Sequence, residues 1–385
     1  MSESPDQPAV QGLQLSLLQG NQVEINNSNR LKYNGKGGSV MAKLNVEVFK
    51  SIHDIDPEVW NRVVAGRGFQ SHSWYQFGER AMADCPPTYL IARDGDTPVA
   101  GAALFRIYNE PLPLPEVARR FMASVLKHKP LLVCRSPLAD TSAMLLPGEP
   151  LRDEVLAAIA HTAQEEFRKQ KCSFLVFDYL LTEQLKYPSW PSGYDPITVS
   201  EPGTYMPIEW QSFDEYLQKG NKKDRQHYKK SLREAEENGI TLTKHKTVSD
   251  VDTALTLIKN VSIWHGSAPN PWMRGMLENF SMIDGTWIEI HKDGKLAGCG
   301  AVVRDNQFQL ATGLGLEDDV PGGYFLLLYT ALQEAFEHNV RLVRFGTGAY
   351  DVKRRLGFHL EDTNHAMVSM AGFSSRASKR KVKSN

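Results

Sequence analysis

The sequence has few of the residues that build metal sites or disulfide frameworks. It contains four cysteines in 385 residues, all far apart and none in a CxxC pair. That spacing fits neither a zinc knuckle nor a small disulfide-bonded domain, so we expect four buried, reduced thiols. These are Cys85, Cys134, Cys172 and Cys299. No group of His, Cys, Asp and Glu has the spacing of metal ligands, and no metal cofactor is predicted.

Long apolar runs and a strong net charge are also missing. No apolar run reaches the roughly 18 residues that a membrane-spanning helix needs. The opening MSESPDQPAV lacks the basic and apolar segments of a secretory signal. We therefore expect a cytoplasmic protein without stable membrane insertion. The formal net charge of -1 indicates no polyanionic partner for the whole chain, so any such partner must be recognised by local charge.

What the sequence does have is enough length for two domains. Its 385 residues exceed the size at which one hydrophobic core usually stops growing. A proline-rich stretch at 180–207 indicates the boundary. We predict a flexible extension at 1–40, domains at 41–205 and 206–373, and a basic disordered tail at 374–385. That tail has five Lys or Arg residues and no acid, as in solubilising ends and in segments that touch nucleic acid or anionic lipid.

Both halves of the chain alternate strand patterns with helix patterns. A hairpin is predicted around Asp94–Gly95–Asp96 and another across Asp293–Gly294. The other predicted strands are 44–49, 173–178, 240–245, 307–314, 342–345 and 366–370. The predicted helices are 57–64, 154–170, 213–220, 222–239, 249–264 (capped by Ser249) and 324–338. The pattern indicates an α/β fold made of two copies of one unit.

A glycine-bearing turn precedes the last long helix. Gly322 and Gly323 come directly before an apolar helix that starts at Tyr324. Free N–H groups and the positive end of the helix dipole suit a pyrophosphate at such a place. The alternative interpretation is an ordinary Pro-Gly-Gly turn with no ligand.

Positive charge is concentrated on one helix of the second half. Six Lys or Arg residues stand against the single acid Asp224 between Lys222 and Arg233. Lys222, Arg225 and Lys229 share one helical face. Such a face can hold the diphosphate of CoA or of a nucleotide sugar, or a tRNA backbone, although charge runs are more often solvated helix faces.

The order of these elements resembles the GNAT acyltransferase superfamily. Strand, glycine turn, helix and strand are followed by Gly346–Thr347–Gly348 and by the ending Leu356–Gly357–Phe358. The basic helix NKKDRQHYKKSLREAEENG, the aromatic ending Ser262–Ile263–Trp264 and the spacing Gly346–Tyr350–Lys353 narrow the resemblance to the Fem-type branch. That branch includes the FemAB peptidoglycan peptidyltransferases and related acyltransferases with a BioF2-like or CelD-like domain. It implies two tandem GNAT-like domains, each a mixed central sheet flanked by helices, with the reaction in the second.

The candidate catalytic residues follow from this resemblance and from the chemistry of acyl transfer. The resemblance places Lys353 near the reactive ester or thioester, where an ammonium stabilises the developing oxyanion. Tyr350 can hydrogen-bond the leaving group or the acceptor. Glu317 and His265 are candidate general bases for an incoming amine. Each also has an interpretation without a catalytic role. Lys353 would be part of a solvated basic trio and Tyr350 would pack at the sheet edge. Glu317 would lie in a solvated acidic turn, and His265 would be incidental.

The predicted function is therefore transfer of an acyl group to an amine or hydroxyl of a small molecule or of a cell-envelope or polysaccharide precursor. Acyl-CoA is the candidate donor. An aminoacyl-tRNA-dependent peptidyltransferase is one alternative, in which the basic helix and tail bind nucleic acid. The other alternative is a catalytically silent binding protein with degenerate GNAT domains. It is favoured by the turn before Gly322, which lacks the basic lead residue of the usual GNAT turn. The prediction assumes that the basic helix and the Tyr350–Lys353 segment face one crevice.

Overall fold

The computed structural model describes residues 44–112, 116–198, 201–220 and 222–370. The described strands are β1 Asn45–Phe49, β2 Pro87–Asp94, β3 Thr97–Ile107, β4 Leu131–Cys134, β5 Met144–Leu145, β6 Phe174–Leu180, β7 Asp195–Thr198, β8 Thr204–Pro207, β9 Ile240–His245, β10 Asp284–Lys292, β11 Lys295–Asp305, β12 Phe308–Leu316, β13 Leu342–Phe345, β14 His359–Leu360 and β15 His365–Met370. The predicted extension at 1–40 and the predicted tail at 374–385 lie outside these residues.

The described α-helices cover one or both faces of the sheets that these strands form. They are α1 Pro57–Val64, α2 His72–Ala81, α3 Glu116–His128, α4 Arg152–Lys169, α5 Phe213–Lys219, α6 Lys222–Glu237, α7 Val251–Trp264, α8 Met273–Glu278, α9 Gly323–Glu337 and α10 Tyr350–Arg355. None of them combines the length and the apolar composition needed to cross a bilayer.

The two sheets have the same internal plan. In the first sheet the strand order is β1-β2-β3-β4-β6-β15-β7, with β5 also paired to β3. In the second sheet the order is β14-β8-β13-β12-β11-β10-β9. Each sheet contains one parallel pair, β4 with β6 and β12 with β13, while its other pairs are antiparallel. The predicted fold class, two mixed sheets flanked by helices, is confirmed.

A crossover helix joins the strands of each parallel pair, because parallel neighbours cannot be linked by a tight turn. In the first unit this helix is α4, whose buried positions Val155, Ile159, Ala163 and Phe167 follow the helical period read from the sequence. In the second unit it is α9, which is apolar nearly all round. An all-round apolar helix must be covered on two sides, and α9 packs between the second sheet and helices α5 and α6.

The two sheets do not correspond to two contiguous halves of the chain. The last strand, β15, pairs with β6 and β7 of the first sheet. Strand β8, which contains the predicted boundary at residue 205, pairs with β13 and β14 of the second sheet. The two units are therefore tied together by strands near their junction.

A shared core also joins the two units. One buried cluster combines Phe69, Trp74 and Phe77 of the first unit with Trp287 and Phe308 of the second. Helices α2 and α8 pack directly on each other there. The contact is so close that a Cβ added to Gly275 of α8 would overlap the carbonyl oxygen of Ala81.

This contact predicts that Gly275→Ala is destabilising. The added methyl group must push α8 away from α2, and overpacking of this kind typically costs about 1–3 kcal/mol. Urea unfolding of the variant should show a lower midpoint with an unchanged slope. Gly148→Ala is the matched control, because nothing lies within 4 Å of a Cβ at that residue. Equal midpoints for the two variants would contradict the close helix contact.

Several elements were not predicted from the sequence. Helices α2, α3, α8 and α10 and the short strands β4, β5, β7, β8 and β14 belong to this group. The N-cap of α7 also differs, because Asp250 rather than Ser249 accepts the hydrogen bond from the Thr253 N–H. The Ser249 hydroxyl donates instead to Glu289 on β10.

Candidate functional site

A cavity opens where the parallel strands β4 and β6 of the first sheet end. Their pairing ends at Cys134 and Phe177, and the side chains that follow, Arg135 and Asp178, line the cavity. Its volume is about 270 Å³. We call it the junction cavity. Its walls are Met82, Phe105, Ile107, Glu110, Pro111, Leu112, Val133, Arg135, Ser136, Pro137, Leu138, Asp140, Asp178 and Tyr179 of the first unit and Ala268, Asn270 and Trp272 of the second.

The polar wall of the junction cavity is an ion-pair cluster centred on Arg135. Its guanidinium donates to the Glu110 carboxylate at 2.7 and 3.0 Å and to Asp178 at 3.2 Å. It also lies 5.9 Å from the centre of the Tyr179 ring, whose hydroxyl donates to Asp140 at 2.8 Å. Two carboxylates thus pair with one guanidinium, and Asp140 is a third acid of the lining, so the cavity is acidic.

Burial changes the acidity of Asp178. Loss of solvation raises the pKa of this carboxyl from 3.8 to about 6, because the attraction of Arg135 only partly offsets it. A carboxylate whose pKa lies near neutrality is suited to accept a proton during a reaction. Two nearby acids, Glu110 and Asp140, add to the rise.

The backbone around the junction cavity is strained. Leu138, Asp140 and Tyr179 have φ values of 58°, 48° and 53°, a region that L-residues with a side chain rarely adopt. The carbonyls of Ala139 and Asp140 accept hydrogen bonds from Arg344 of the second unit, at 2.7 and 2.8 Å. Clusters of strained backbone held by surrounding contacts are typical of ligand-binding sites.

The second unit closes one side of the cavity with the segment between α7 and α8. Trp272, at the start of α8, is buried and lines the cavity. Its indole N–H lies near the sulfur of Cys85, a weak acceptor, and donates to no oxygen or nitrogen of the described residues. This donor and the apolar ring face give the cavity a wall that can bind both parts of an amphiphilic ligand.

Lys353 lies at the corresponding position of the second sheet. There β12 continues to Leu316, whereas its pairing with β13 ends at Ala311 and Phe345. The Lys353 ammonium donates to the carbonyls of Gly346 and Thr347, just after β13. The residue is only 6% exposed, and burial lowers its pKa from 10.5 to about 8.

The Lys353 site and the junction cavity are connected by charged contacts. Glu361 acts on the Lys353 charge and partly offsets the lowering of its pKa. The Glu361 carboxylate binds the buried guanidinium of Arg344 at 2.5 and 2.9 Å. Arg344 in turn binds the Asp140 carbonyl, and the Asp140 side chain accepts from Tyr179 in the cavity.

Tyr350 and Arg225 both bind protein groups. The Tyr350 hydroxyl donates to the Pro202 carbonyl at 2.8 Å and to Glu201 at 3.1 Å. The Arg225 guanidinium donates to the carbonyls of Leu217, Gln218 and Gly220 at the end of α5. It therefore completes the C-terminus of a helix, and its role as a phosphate ligand stays a prediction.

The glycine turn and the basic end of α6 are not brought together. A Cβ on Gly322 would lie 3.1 Å from the carbonyl of Ser231 and 3.8 Å from the carboxylate of Glu234. His227 contacts Phe325, one turn further along α9, so α6 and α9 run antiparallel. Lys222 and Arg225 thus lie roughly 9–14 Å along the helix from the turn, and an acid stands nearest to it.

The remaining predicted residues do not line the junction cavity. Gly323 and Tyr324 begin α9, where the Gly323 N–H donates to Val320. Glu317 and His265 are exposed, and so are Lys222 and Lys229 on α6. His265 follows α7 and precedes the cavity-lining Ala268 by three residues, whereas Glu317 lies in the second unit after β12.

One group of described side chains has the spacing of a metal site. The ligand atoms of Glu334, Glu337 and His338 all lie within 4.8 Å of one another. Glu334, however, already pairs with Lys244 at 2.6 Å and with Arg304 at 3.2 Å, and Glu337 pairs with the same lysine. Because protein cations balance these carboxylates, we interpret the group as a structural ion-pair network.

Solved structures with the same arrangement of two units are known. FemX matches with a TM-score of 0.57 and 12% sequence identity, over 84% of this chain and 97% of its own. A tandem GNAT protein from the clavulanic acid biosynthesis pathway matches with a TM-score of 0.51 and 16% identity, over 86% of this chain and all of its own. The chain has the fold of these structures, two tandem GNAT-like units. The predicted resemblance is confirmed at this level, and the narrower BioF2-like assignment stays a prediction.

Identity this low shows the fold alone. No protein-family model matches the sequence, and no curated protein is similar enough to count as a match. In this tandem GNAT fold both parallel strand pairs end at a buried ionisable side chain, Asp178 in the first unit and Lys353 in the second.

The residues of the junction cavity were not identified from the sequence. A signal was available, since Asp178 interrupts the apolar strand β6 and Arg135 directly follows the apolar strand β4. A charge within or beside a buried strand is rare unless it is paired. What the sequence does not show is that these two residues and Glu110 meet.

Proposed function

We propose that the chain is a transferase that moves an acyl or aminoacyl group from an activated ester or thioester to an amine held in the junction cavity. The observation that carries this proposal is Asp178, a carboxylate with a pKa of about 6. It lies against Arg135 where the parallel strands β4 and β6 end. The sequence predicted an amine or a hydroxyl acceptor. Of the two we favour the amine, because an acidic cavity attracts its cationic form.

The proposed reaction needs one proton acceptor. The acceptor binds as an ammonium and first loses one proton to solvent. The neutral amine nitrogen then attacks the carbonyl carbon of the donor, and a second proton passes to the Asp178 carboxylate as the carbon–nitrogen bond forms. The bond to the alcohol or thiol carrier breaks, and the carrier leaves with the proton that Asp178 accepted, which restores the carboxylate. Arg135 keeps the carboxylate oriented, and it remains paired with Glu110 throughout.

The cavity walls support an acceptor with a cationic end and an apolar body. Glu110, Asp140 and Asp178 attract an ammonium group, while Tyr179 and Trp272 offer aromatic faces, to which cations also bind. A cavity of about 270 Å³ is slightly smaller than the range in which drug-sized ligands bind, about 300–1,000 Å³. Only the reacting end of a larger precursor therefore fits.

Lys353 is proposed to act on the donor side. A buried ammonium that no carboxylate contacts directly is unfavourable, and a lysine whose pKa is lowered by burial is typical of functional sites. Two of its three N–H groups bind Gly346 and Thr347, and the third is left to stabilise the carbonyl oxygen of a donor. Acyl-CoA and aminoacyl-tRNA both carry such a carbonyl, and both remain candidate donors.

The role of Lys353 predicts that Lys353→Met separates activity from stability. The transfer rate should fall by about 10²–10³, the loss expected when an oxyanion donor is removed. The free energy of unfolding should change little, because removal of the buried charge offsets the loss of two hydrogen bonds to the carbonyls of Gly346 and Thr347, which belong to a half-buried and an exposed residue. Steady-state kinetics and urea unfolding measure the two effects. Arg354→Met, at an exposed neighbour on α10, should change neither, and an active Lys353→Met enzyme would contradict the role.

The proposed function is tested by blocking the cavity. Ala268→Trp should fill the cavity from its rim and raise the KM for an amine acceptor by about tenfold or more. Ser267→Trp adds the same ring at an exposed neighbour and should leave the KM unchanged. The assay detects transfer by mass spectrometry with acyl-CoA and aminoacyl-tRNA donors and a panel of primary amines. No transfer with any pair, or equal kinetics for both variants, would refute the acceptor site.

A further inference from the structure

The side-chain nitrogen of Lys353 is held by backbone carbonyls. It donates to Gly346 and Thr347, in the turn after β13, at 2.5 and 3.0 Å. Among the described residues no Asp or Glu forms an ion pair with it. Arg304 and Arg344, the other buried Lys or Arg side chains of this part of the chain, each bind a carboxylate. Lys353 therefore differs from both in the kind of partner that surrounds its charge.

These partners fit the neutral amine form of the side chain. An ammonium has three N–H donors, whereas a neutral amine has two donors and a lone pair. The carbonyls of Gly346 and Thr347 match the two donors, so the lone pair points away from both. Burial favours the same form, because it lowers the pKa of Lys353 from 10.5 to about 8. At pH 7 roughly a tenth of the molecules then carry an uncharged, nucleophilic amine at this position.

The turn that binds this nitrogen borders open space. A Cβ added to Gly346 or to Gly348 would meet nothing within 4 Å, and Thr347 between them is exposed. Lys353 itself is buried. On this side its nitrogen is therefore separated from solvent by a short turn, and not by a packed helix or strand.

We propose that Lys353 also accepts the acyl group itself, and that the resulting amide switches the enzyme off when no amine occupies the junction cavity. This inference rests on the proposed function, because it uses the donor that Lys353 is proposed to bind. The neutral nitrogen attacks the carbonyl carbon of an acyl-CoA-like thioester, and the carbon–sulfur bond breaks. The leaving thiolate takes up the proton that the nitrogen loses. The products are an acylated lysine and a free thiol, and no further reactant is needed.

Acylation abolishes the role proposed for Lys353 in transfer. The amide has no charge and keeps one N–H, so it stabilises the oxyanion of a donor poorly. A neutral amide also costs less to bury than an ammonium that no carboxylate contacts, which makes the modified state stable. An amine bound in the junction cavity competes by taking the acyl group first. Self-acylation is therefore expected when the donor is abundant and the acceptor is scarce.

Chemical acylation of exposed lysines is the competing explanation for an acyl group found on the chain. The Arg354→Lys variant is the matched control, because Arg354 is the next residue of α10 and its side chain is 58% exposed. The lysine introduced there meets the same donor concentration without burial and without the two carbonyls. Fragment-ion mass spectrometry distinguishes the two adjacent lysines within one chymotryptic peptide, so the comparison is internal.

The test incubates the full chain with acetyl-CoA in the absence of amine acceptors. In the Arg354→Lys variant at pH 7, the acetyl group should appear on Lys353 about tenfold or more faster than on the introduced lysine, because far more of the buried amine is neutral. The rate at Lys353 should rise up to about pH 8, where its pKa lies, and then level off. In urea, which unfolds the chain, the preference for Lys353 should disappear.

Two further measurements separate self-acylation from the proposed transfer reaction. Asp178→Asn should be acetylated on Lys353 at the wild-type rate, because Lys353 does not line the junction cavity. Preincubation of the wild type with acetyl-CoA should lower its transfer activity in proportion to the acetylated fraction. Equal acetylation of the two adjacent lysines, or none on Lys353, would overturn the proposal. Transfer to amines by an enzyme that keeps Lys353 unmodified would also overturn it and would leave the proposed function intact.

Discussion

Replacing Asp178 by asparagine is expected to lower the transfer rate by about 10²–10⁴-fold, the usual contribution of a positioned proton acceptor. The amide keeps the size of the side chain and its place beside Arg135, but it cannot accept a proton. Wild-type activity should also fall as the pH is lowered through about 6, because the pKa of Asp178 has that value and its protonated form is inactive. The pH–rate profile of the variant's residual activity should lack this step.

The stability of the same variant distinguishes loss of chemistry from loss of structure. The pKa of Asp178 is higher in the folded protein than the ordinary 3.8. Its contribution to stability is therefore complete below the unfolded pKa and is lost as the pH rises through about 6. Asparagine does not ionise, so Asp178→Asn should equal or exceed the wild type in unfolding free energy at pH 8, by up to about 1–3 kcal/mol. A variant that is inactive because it is unfolded would contradict the assignment.

Replacing Arg344 by alanine is expected to destabilise the protein by about 3–5 kcal/mol, the usual result of removing one partner of a buried ion pair. The guanidinium is fully enclosed between the two units, where it binds Glu361 and the carbonyls of Ala139 and Asp140. Its loss leaves a buried carboxylate without a counter-charge and two carbonyls without donors. It also releases the strained segment that forms one wall of the junction cavity.

Urea unfolding measures the loss of unfolding free energy in Arg344→Ala, and two control variants show what causes it. Arg354→Ala removes an exposed arginine of α10 and should change the unfolding free energy by no more than about 0.5 kcal/mol. The double variant Arg344→Met/Glu361→Leu removes both charges and should regain much of the loss, because two apolar side chains are better tolerated than one unpaired charge. A cost below about 1 kcal/mol for Arg344→Ala would show that Arg344 does not hold the units together.

Periodic patterns predicted most of the long elements because they are local properties of the chain. The helices α1, α4, α6 and α9 and the hairpin β10–β11 lie close to the predicted ranges. Elements that were missed are short or lack a regular pattern, such as α8 and β4. They form because they are packed between longer elements, and propensity alone does not decide them.

The candidate site was only partly predictable, and the reason is again physical. Lys353 was predicted because the sequence around it resembles the Fem-type branch, and the structure adds that the residue is buried with a lowered pKa. Arg135 and Asp178 were not chosen, since they are 43 residues apart and their neighbours in sequence are apolar. The common crevice of the basic face of α6 and the Tyr350–Lys353 segment stays a prediction, and antiparallel packing of α6 on α9 places Glu234 beside the Gly322 turn.

The amino-acid sequence by itself determined that two α/β units follow one another, since alternation and helical spacing are carried by residues within a few positions of each other. Only the tertiary structure decided that β15 returns to the first sheet and that Glu110, Arg135 and Asp178 surround one cavity beside Trp272. The acidity of a side chain depends on solvent exclusion and on charges a few ångströms away. Both arise from contacts between distant parts of the chain, and no local pattern records them.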